Sequence, residues 1–283
     1  MLKFWRHMAL IALLVTGMSL SGCAQNLFYQ PDNILYDTPK NAGLDFEEVT
    51  FASADGTALT GWFIPAQGRA PRQAKGTVIH FHGNAQNMSA HWRFAEWLPR
   101  QGYNLFVFDY RGYGTSKGTP DLDGVLADSI AAIEHVRQRP DSTPDKLIVY
   151  GQSLGGTNAI GAVVKGSRQG IRAVIVESTF SSYSQIAHDK VPGAGWLMSD
   201  RHSADRLIDQ IAPIPLLLIH GDQDKVIHHR HSERLLALAK DPKQLIVLNG
   251  EGHLTQLLRP ASTQSLQTQV LTFLQSADES SAH

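Results

Sequence analysis

Leu147-Ile148-Val149-Tyr150-Gly151-Gln152-Ser153-Leu154-Gly155-Gly156 is the stretch whose reading decides the fold. A β-branched apolar run of strand length stops abruptly in G-x-S-x-G, and small residues follow at helical spacing: Thr157, Ala159, Ile160, Ala162 and Val163. Strand, tight turn and helix in that order are the setting in which a backbone presents a serine as a nucleophile. Gly151 and Gly155 carry no Cβ, so the chain can turn sharply and the helix can pack close to the strand. The Ser153 hydroxyl is then expected above the end of a sheet. Behind it would stand a helix N-terminus, with unpaired N–H groups and a dipole that favours negative charge.

Working outward, residues 77–84 and 105–108 are continuous β-rich apolar runs, the pattern of strands buried on both faces. Residues 47–52 and 58–64 read as two strands joined by a hairpin at Asp55-Gly56. Further strands are expected at 173–176, 216–219 and 244–248, and helices at 92–98, 122–136, 232–239 and 265–274. Strands alternating with helices argue for an α/β fold, with a mainly parallel sheet covered on both faces. Residues 178–212 break the alternation with a mixture of Ser, Gly and apolar side chains, among them Phe180, Tyr183, Trp196, Leu197 and Met198. So long a connection is usually functional, and it is expected as a small helical cap at the ligand-binding edge of the sheet.

With 283 residues, 42% hydrophobic and 18% charged, the chain can bury one sizeable core, and its net charge of −1 gives no reason to expect a nucleic-acid partner. Residues 1–22 read as a signal peptide: Lys3 and Arg6, then an apolar-to-small run over 8–20 too short for a comfortable membrane span. The run ends in Leu20-Ser21-Gly22-Cys23, which resembles the bacterial lipobox. That resemblance implies cleavage before Cys23 and lipid on the new N-terminus. Cys23 is the only cysteine, so a mature chain would hold no disulfide. Ala24 in the next position suggests, by the sorting rule of such lipoproteins, the outer membrane. Residues 23–43 read as lipidated N-terminus and tether, and residues 44–283 as the globular domain.

A serine hydroxyl is a poor nucleophile until a neighbouring base accepts its proton, and imidazole suits that task. Of thirteen histidines, His80 and His82 read as packing or loop-bracing residues on one strand, and His220 as a brace for the loop after its strand. His228, His229 and His231 read as a solvated cluster, with no carboxylate spacing that would make it a metal site. His253 follows the last strand in Gly250-Glu251-Gly252-His253, a loop from which an imidazole can reach Ser153. The third member must be a carboxylate that holds the imidazole tautomer and stabilises its charged form. After residues 216–219 the chain offers Asp222 and Asp224; Asp222 sits in the turn as a turn former, and Asp224 lies deeper, where the loop can aim it at His253. The order Ser153, Asp224, His253 is nucleophile, acid, base.

His82-Gly83-Asn84, Asp109-Tyr110-Arg111-Gly112-Tyr113-Gly114, Gly151-Gln152-Ser153-Leu154-Gly155, His220-Gly221-Asp222-Gln223-Asp224 and Gly252-His253 together resemble the α/β-hydrolase superfamily. Within it the likeness is to the branch of S9/S33 peptidase-like serine hydrolases, which includes depalmitoylases. Ile227-His228 departs from that branch, which carries Val-Pro after the acid. The resemblance implies an eight-stranded sheet and an oxyanion hole made by the backbone N–H groups of Leu154 and Asn84, each able to stabilise the tetrahedral intermediate by ~3 kcal/mol. Arg111 is expected to be structural, paired with a nearby carboxylate.

The resulting expectation is a serine hydrolase acting on an ester or thioester, needing no metal or organic cofactor and no obligatory protein partner. Its substrate would be a small or lipid-like acyl compound, and it would be anchored to the envelope facing the periplasm. Phe180, Trp196, Leu197 and Met198 are expected to give the cap an apolar face for acyl chains. An amide hydrolase of aminopeptidase type, an acyltransferase using the same residues, and a non-catalytic binding lipoprotein on the same scaffold are the alternatives.

Overall fold

A computed structural model describes residues 28–255 and 260–280; the expected signal peptide and Cys23 lie outside the described residues. An eight-stranded sheet runs through the molecule, its strands being β2 (Glu47–Ala52), β3 (Ala58–Ile64), β4 (Thr77–Phe81), β6 (Asn104–Asp109), β7 (Leu147–Gln152), β8 (Ile171–Glu177), β9 (Leu216–Gly221) and β10 (Lys243–Leu248). Their order across the sheet is β10-β9-β8-β7-β4-β6-β3-β2. Every pair from β10 to β6 is parallel, and β3 and β2 close the far edge as an antiparallel hairpin. A separate two-stranded ribbon pairs β1 (Gln30–Pro31) with β5 (Ala85–Gln86), in parallel.

The strands β4, β6, β7 and β9 are buried along their whole length, which is why their sequences are mainly continuous apolar stretches and not alternating ones. One face packs against α2 (Leu122–Gln138) and α3 (Leu154–Lys165), with Phe106, Phe108, Val149, Ile160 and Val174 at its centre. The other face is covered by Trp92, Leu98 and the apolar stripe Leu266, Val270, Leu274 and Ala277 of α6 (Pro260–Ser280). Two shorter helices, α4 (Tyr183–Lys190) and α5 (Arg230–Leu238), stand near the carboxyl ends of β8 and β9.

Two expected helices differ. A short helix α1 (Met88–His91) ends before residue 92, and over 92–98 the chain makes only 3-10 turns, in which Ala95 N–H bonds the Trp92 carbonyl and Leu98 N–H that of Ala95. Pro99 lies next and bars an α-helical continuation. In the last helix the stripe extends beyond 265–274, because Ala277 continues the spacing through a Ser-, Thr- and Gln-rich sequence.

The described part of the expected tether is not free chain. Tyr29 is buried, the Phe28 ring meets those of Phe180 and Tyr183, and β1 is docked on β5. Residues 178–212 do form small helical turns at the sheet edge beside β7, tied to α5 by Asp189, which accepts from His231 Nε2 at 3.0 Å and pairs with Arg230. Their apolar residues are arranged otherwise than expected: Phe180 is a core residue, whereas Trp196 is 92% and Leu197 68% exposed. Phe180 meets the rings of Phe28 and Tyr183. Among the described residues no helix is long and apolar enough to cross a membrane.

Candidate active site

β7 ends at Gln152, and Ser153 follows with φ 54° and ψ −124°, a left-handed conformation costly for a residue with a side chain. The surroundings impose it. Ser153 N–H donates to the Glu177 carbonyl at 2.9 Å, and the Ser153 carbonyl accepts from Thr179 Oγ1 at 2.6 Å. A Cβ on Gly155 would collide with the Phe81 carbonyl of β4, and one on Gly151 with the Gly155 carbonyl, so the turn exists only with glycine at both places. The helix α3 starts at Leu154, directly behind the hydroxyl.

Beneath the elbow lies a closed polar network. His80 Nε2 donates to Gln152 Oε1 at 2.9 Å, Gln152 Nε2 donates to Glu177 Oε2 at 2.8 Å, and the Tyr150 hydroxyl bonds the same oxygen. Burial drives the His80 pKa down to about 4 and pushes the Glu177 carboxyl upward. The network fixes the x of G-x-S-x-G, Gln152, directly before Ser153.

The loops after β9 and β10 bring the other two residues in. His253 Nε2 lies 3.2 Å from Ser153 Oγ, and His253 Nδ1 lies 2.7 Å from Asp224 Oδ2. Asp224 also accepts at Oδ1 from the backbone N–H groups of Val226 and Ile227, each at 2.8 Å. His220 adds Nε2 at 3.2 Å from Oδ2, the same nitrogen donating to the Ile227 carbonyl at 2.8 Å while Nδ1 accepts from Ser232 Oγ at 2.7 Å. Burial alone would raise the Asp224 pKa; the donors His220, His253 and Ile227 outweigh it and hold the carboxyl well below its usual range. Asp222, the other candidate acid, instead accepts the Gly250 N–H at 2.8 Å and joins the two loops. An acceptor at Nδ1 and a hydroxyl donor at Nε2 are what a proton-accepting imidazole requires: Asp224 takes Nδ1–H and leaves the Nε2 lone pair toward the Ser153 hydroxyl.

Asn84 and Leu154 flank the hydroxyl. Among the described residues neither backbone N–H has an acceptor, whereas the carbonyls beside them are engaged. Gly83 O accepts from His82 Nδ1 at 2.8 Å, and Asn84 O accepts from Gln30 N–H at 2.8 Å and the Tyr113 hydroxyl at 2.7 Å. A Cβ on Gly83 would stand 3.7 Å from Ser153 Cβ, which puts this turn against Ser153.

Arg111 pairs with Asp128, Nη2 to Oδ1 at 2.8 Å, and with Asp55 at 2.9 Å, ordering the loop after β6. His231, read from sequence as solvated, is buried and bonded to Ser181 and Asp189. Among the described residues no cluster of His, Cys, Asp or Glu could hold a metal ion. Sequence reasoning missed the His220 nitrogen on Asp224 and the docking of residues 28–36 on the Asn84 turn. The first had a signal in the spacing from His220 to Asp224; the second had none, because it depends on a contact between distant segments.

Residues 72–203 match the model of the family described as serine aminopeptidase, S33. The protein YfhR of Escherichia coli is 49% identical over 232 residues, covering 82% of this chain and 80% of its own. The α/β-hydrolase domain-containing protein WAV2 of Arabidopsis thaliana is 32% identical over 218 residues, covering 71% of this chain and 69% of its own. An esterase of Pyrococcus furiosus superposes with a TM-score of 0.72 at 22% identity, over 88% of this chain and 97% of that one. Sheet order, relatives and structural likeness agree: the chain belongs to the α/β-hydrolase superfamily.

Proposed function

We propose that the protein is a serine hydrolase that cleaves carboxylic esters or thioesters, held at the cell envelope by a lipid on Cys23. The observation that carries the catalytic part is the hydrogen-bonded file Ser153–His253–Asp224 at a strained elbow. In this reading Ser153 Oγ attacks the substrate carbonyl carbon while its proton passes to His253 Nε2, and Asp224 stabilises the imidazolium. The carbonyl oxygen becomes an oxyanion, accepting from the N–H groups of Leu154 and Asn84. Collapse expels the alcohol or thiol, which takes the proton from His253. A water molecule, deprotonated by the same imidazole, then attacks the acyl-enzyme and releases the carboxylic acid.

Esters and thioesters rank before peptides. An aminopeptidase needs a carboxylate for the substrate ammonium, and beside Ser153 the side chains of Asp224 and Glu177 are already committed to His253 and His220, and to Tyr150 and Gln152. The envelope part rests on the apolar run 8–20 ending in Leu20-Ser21-Gly22-Cys23. The deciding experiment is labelling of the folded protein with a fluorophosphonate, beside Ser153→Ala and His253→Ala. Labelling of wild type lost in both variants supports an activated serine; no labelling of folded wild type refutes the reading.

A further inference from the structure

Residues 28–36 lie across the turn that carries Asn84, and their bonds go to that turn. Gln30 N–H donates to Asn84 O at 2.8 Å and Asp32 N–H to Gln86 O at 3.3 Å. Asn87 Nδ2 returns two bonds of 2.8 Å, to Asp32 Oδ1 and to the Ile34 carbonyl, and Gly114 N–H donates to the Asp32 carbonyl at 2.8 Å. At its start the arm is fixed by Tyr29, which is buried, and by the half-buried Phe28, whose ring meets that of Tyr183. The turn it covers needs such support: Gln86 sits at φ +65°, a conformation that costs free energy unless neighbours impose it.

The geometry points to the N-terminal arm as a positioning element of the oxyanion hole, with Gln30 N–H and the Tyr113 hydroxyl as the two groups that fix the direction of the Asn84 N–H. This inference rests on the serine-hydrolase reading. The Asn84 residue is held at both of its peptide groups: His82 Nδ1 anchors the Gly83 carbonyl before it, and Gln30 with Tyr113 anchors its own carbonyl. With both carbonyls tied, the N–H between them has one direction. Preorganisation of this kind acts on the transition state, because only there does the substrate oxygen carry the charge that the N–H meets. Loosening Asn84 should therefore lower kcat and leave ground-state binding nearly untouched.

Gln30→Pro removes the N–H, Tyr113→Phe removes the hydroxyl, and the double variant leaves Asn84 O without either donor. The readouts are kcat and KM on a short p-nitrophenyl ester, the inhibition constant of a trifluoromethyl ketone that forms a tetrahedral oxyanion adduct, and the rate of fluorophosphonate labelling. Each single variant should lose roughly 3- to 10-fold in kcat and the double variant roughly 100-fold, near the loss seen when one oxyanion donor is deleted. KM should move less than about twofold, and ketone affinity should fall in step with kcat/KM. A merely structural role would lower the melting temperature and the fraction of active enzyme without separating ketone affinity from KM. If the double variant does not fold, the two single variants are read instead. Labelling of wild type together with unchanged kcat and ketone affinity in folded variants overturns the inference and leaves the hydrolase reading standing. Folded wild type that does not label overturns both.

Discussion

Asp224 accepts from two imidazoles and two backbone N–H groups, and this set of donors decides how the site answers to acid. Its folded pKa is depressed below the ordinary 3.8, so as pH falls the unfolded chain takes up the proton first. Its contribution to stability is thus present above about pH 4 and is lost as pH falls through the folded value. Thermal unfolding of wild type and Asp224→Asn between pH 7 and pH 2.5 should show a gap in melting temperature at pH 7 that narrows below pH 4. At pH 7 the same substitution should lower kcat about 10⁴-fold with little change in KM, because the amide permits the wrong imidazole tautomer. Steady-state kinetics on a p-nitrophenyl ester checks it. Asp224 could be told from Asp222 in the sequence because two residues along the turn separate a turn former from a side chain that lies deeper and can face His253. Phe180 was not legible in the same way, since one of the rings it meets, Phe28, comes some 150 positions earlier.

The long elements announce themselves through burial. A strand covered on both faces is mainly apolar, with polar side chains such as His80 and Gln152 bonded to one another, so β4, β6, β7 and β9 stand out in the sequence. The β1–β5 ribbon does not, because two residues paired with two others have no period to read. Close packing between elements makes its own predictions. Gly155→Ala drives a methyl group into the Phe81 carbonyl, so α3 must part from β4; we expect a loss of about 3 kcal/mol in urea unfolding, with weaker fluorophosphonate labelling of what folds. Arg111 and Asp128 form a buried pair, with the aspartate side chain fully covered. Asp128→Ala leaves the guanidinium without that partner and should cost about 3–5 kcal/mol in the same experiment, while labelling at Ser153 persists in the folded fraction.

In the whole molecule, the proposed lipid attachment and the proposed chemistry can be separated. Cys23→Ser should shift the protein from the membrane fraction to the soluble one on cell fractionation. Turnover of a water-soluble ester by the purified variant should stay within about twofold of wild type, because no described residue of the site depends on residue 23. The triad itself spans much of the chain: Ser153 and His253 are 100 positions apart, and Asp224 precedes His253 by 29. Before that there is the arm at residues 28–36, laid against the turn at 84–89. On the proposed reading, a growing polypeptide therefore carries its nucleophile long before its base, and stays chemically silent until β9 and β10 have joined the sheet. Synthesis order acts as a safety catch. On the proposed reading, a product truncated before residue 253 is inert, because it lacks the imidazole that faces the Ser153 hydroxyl.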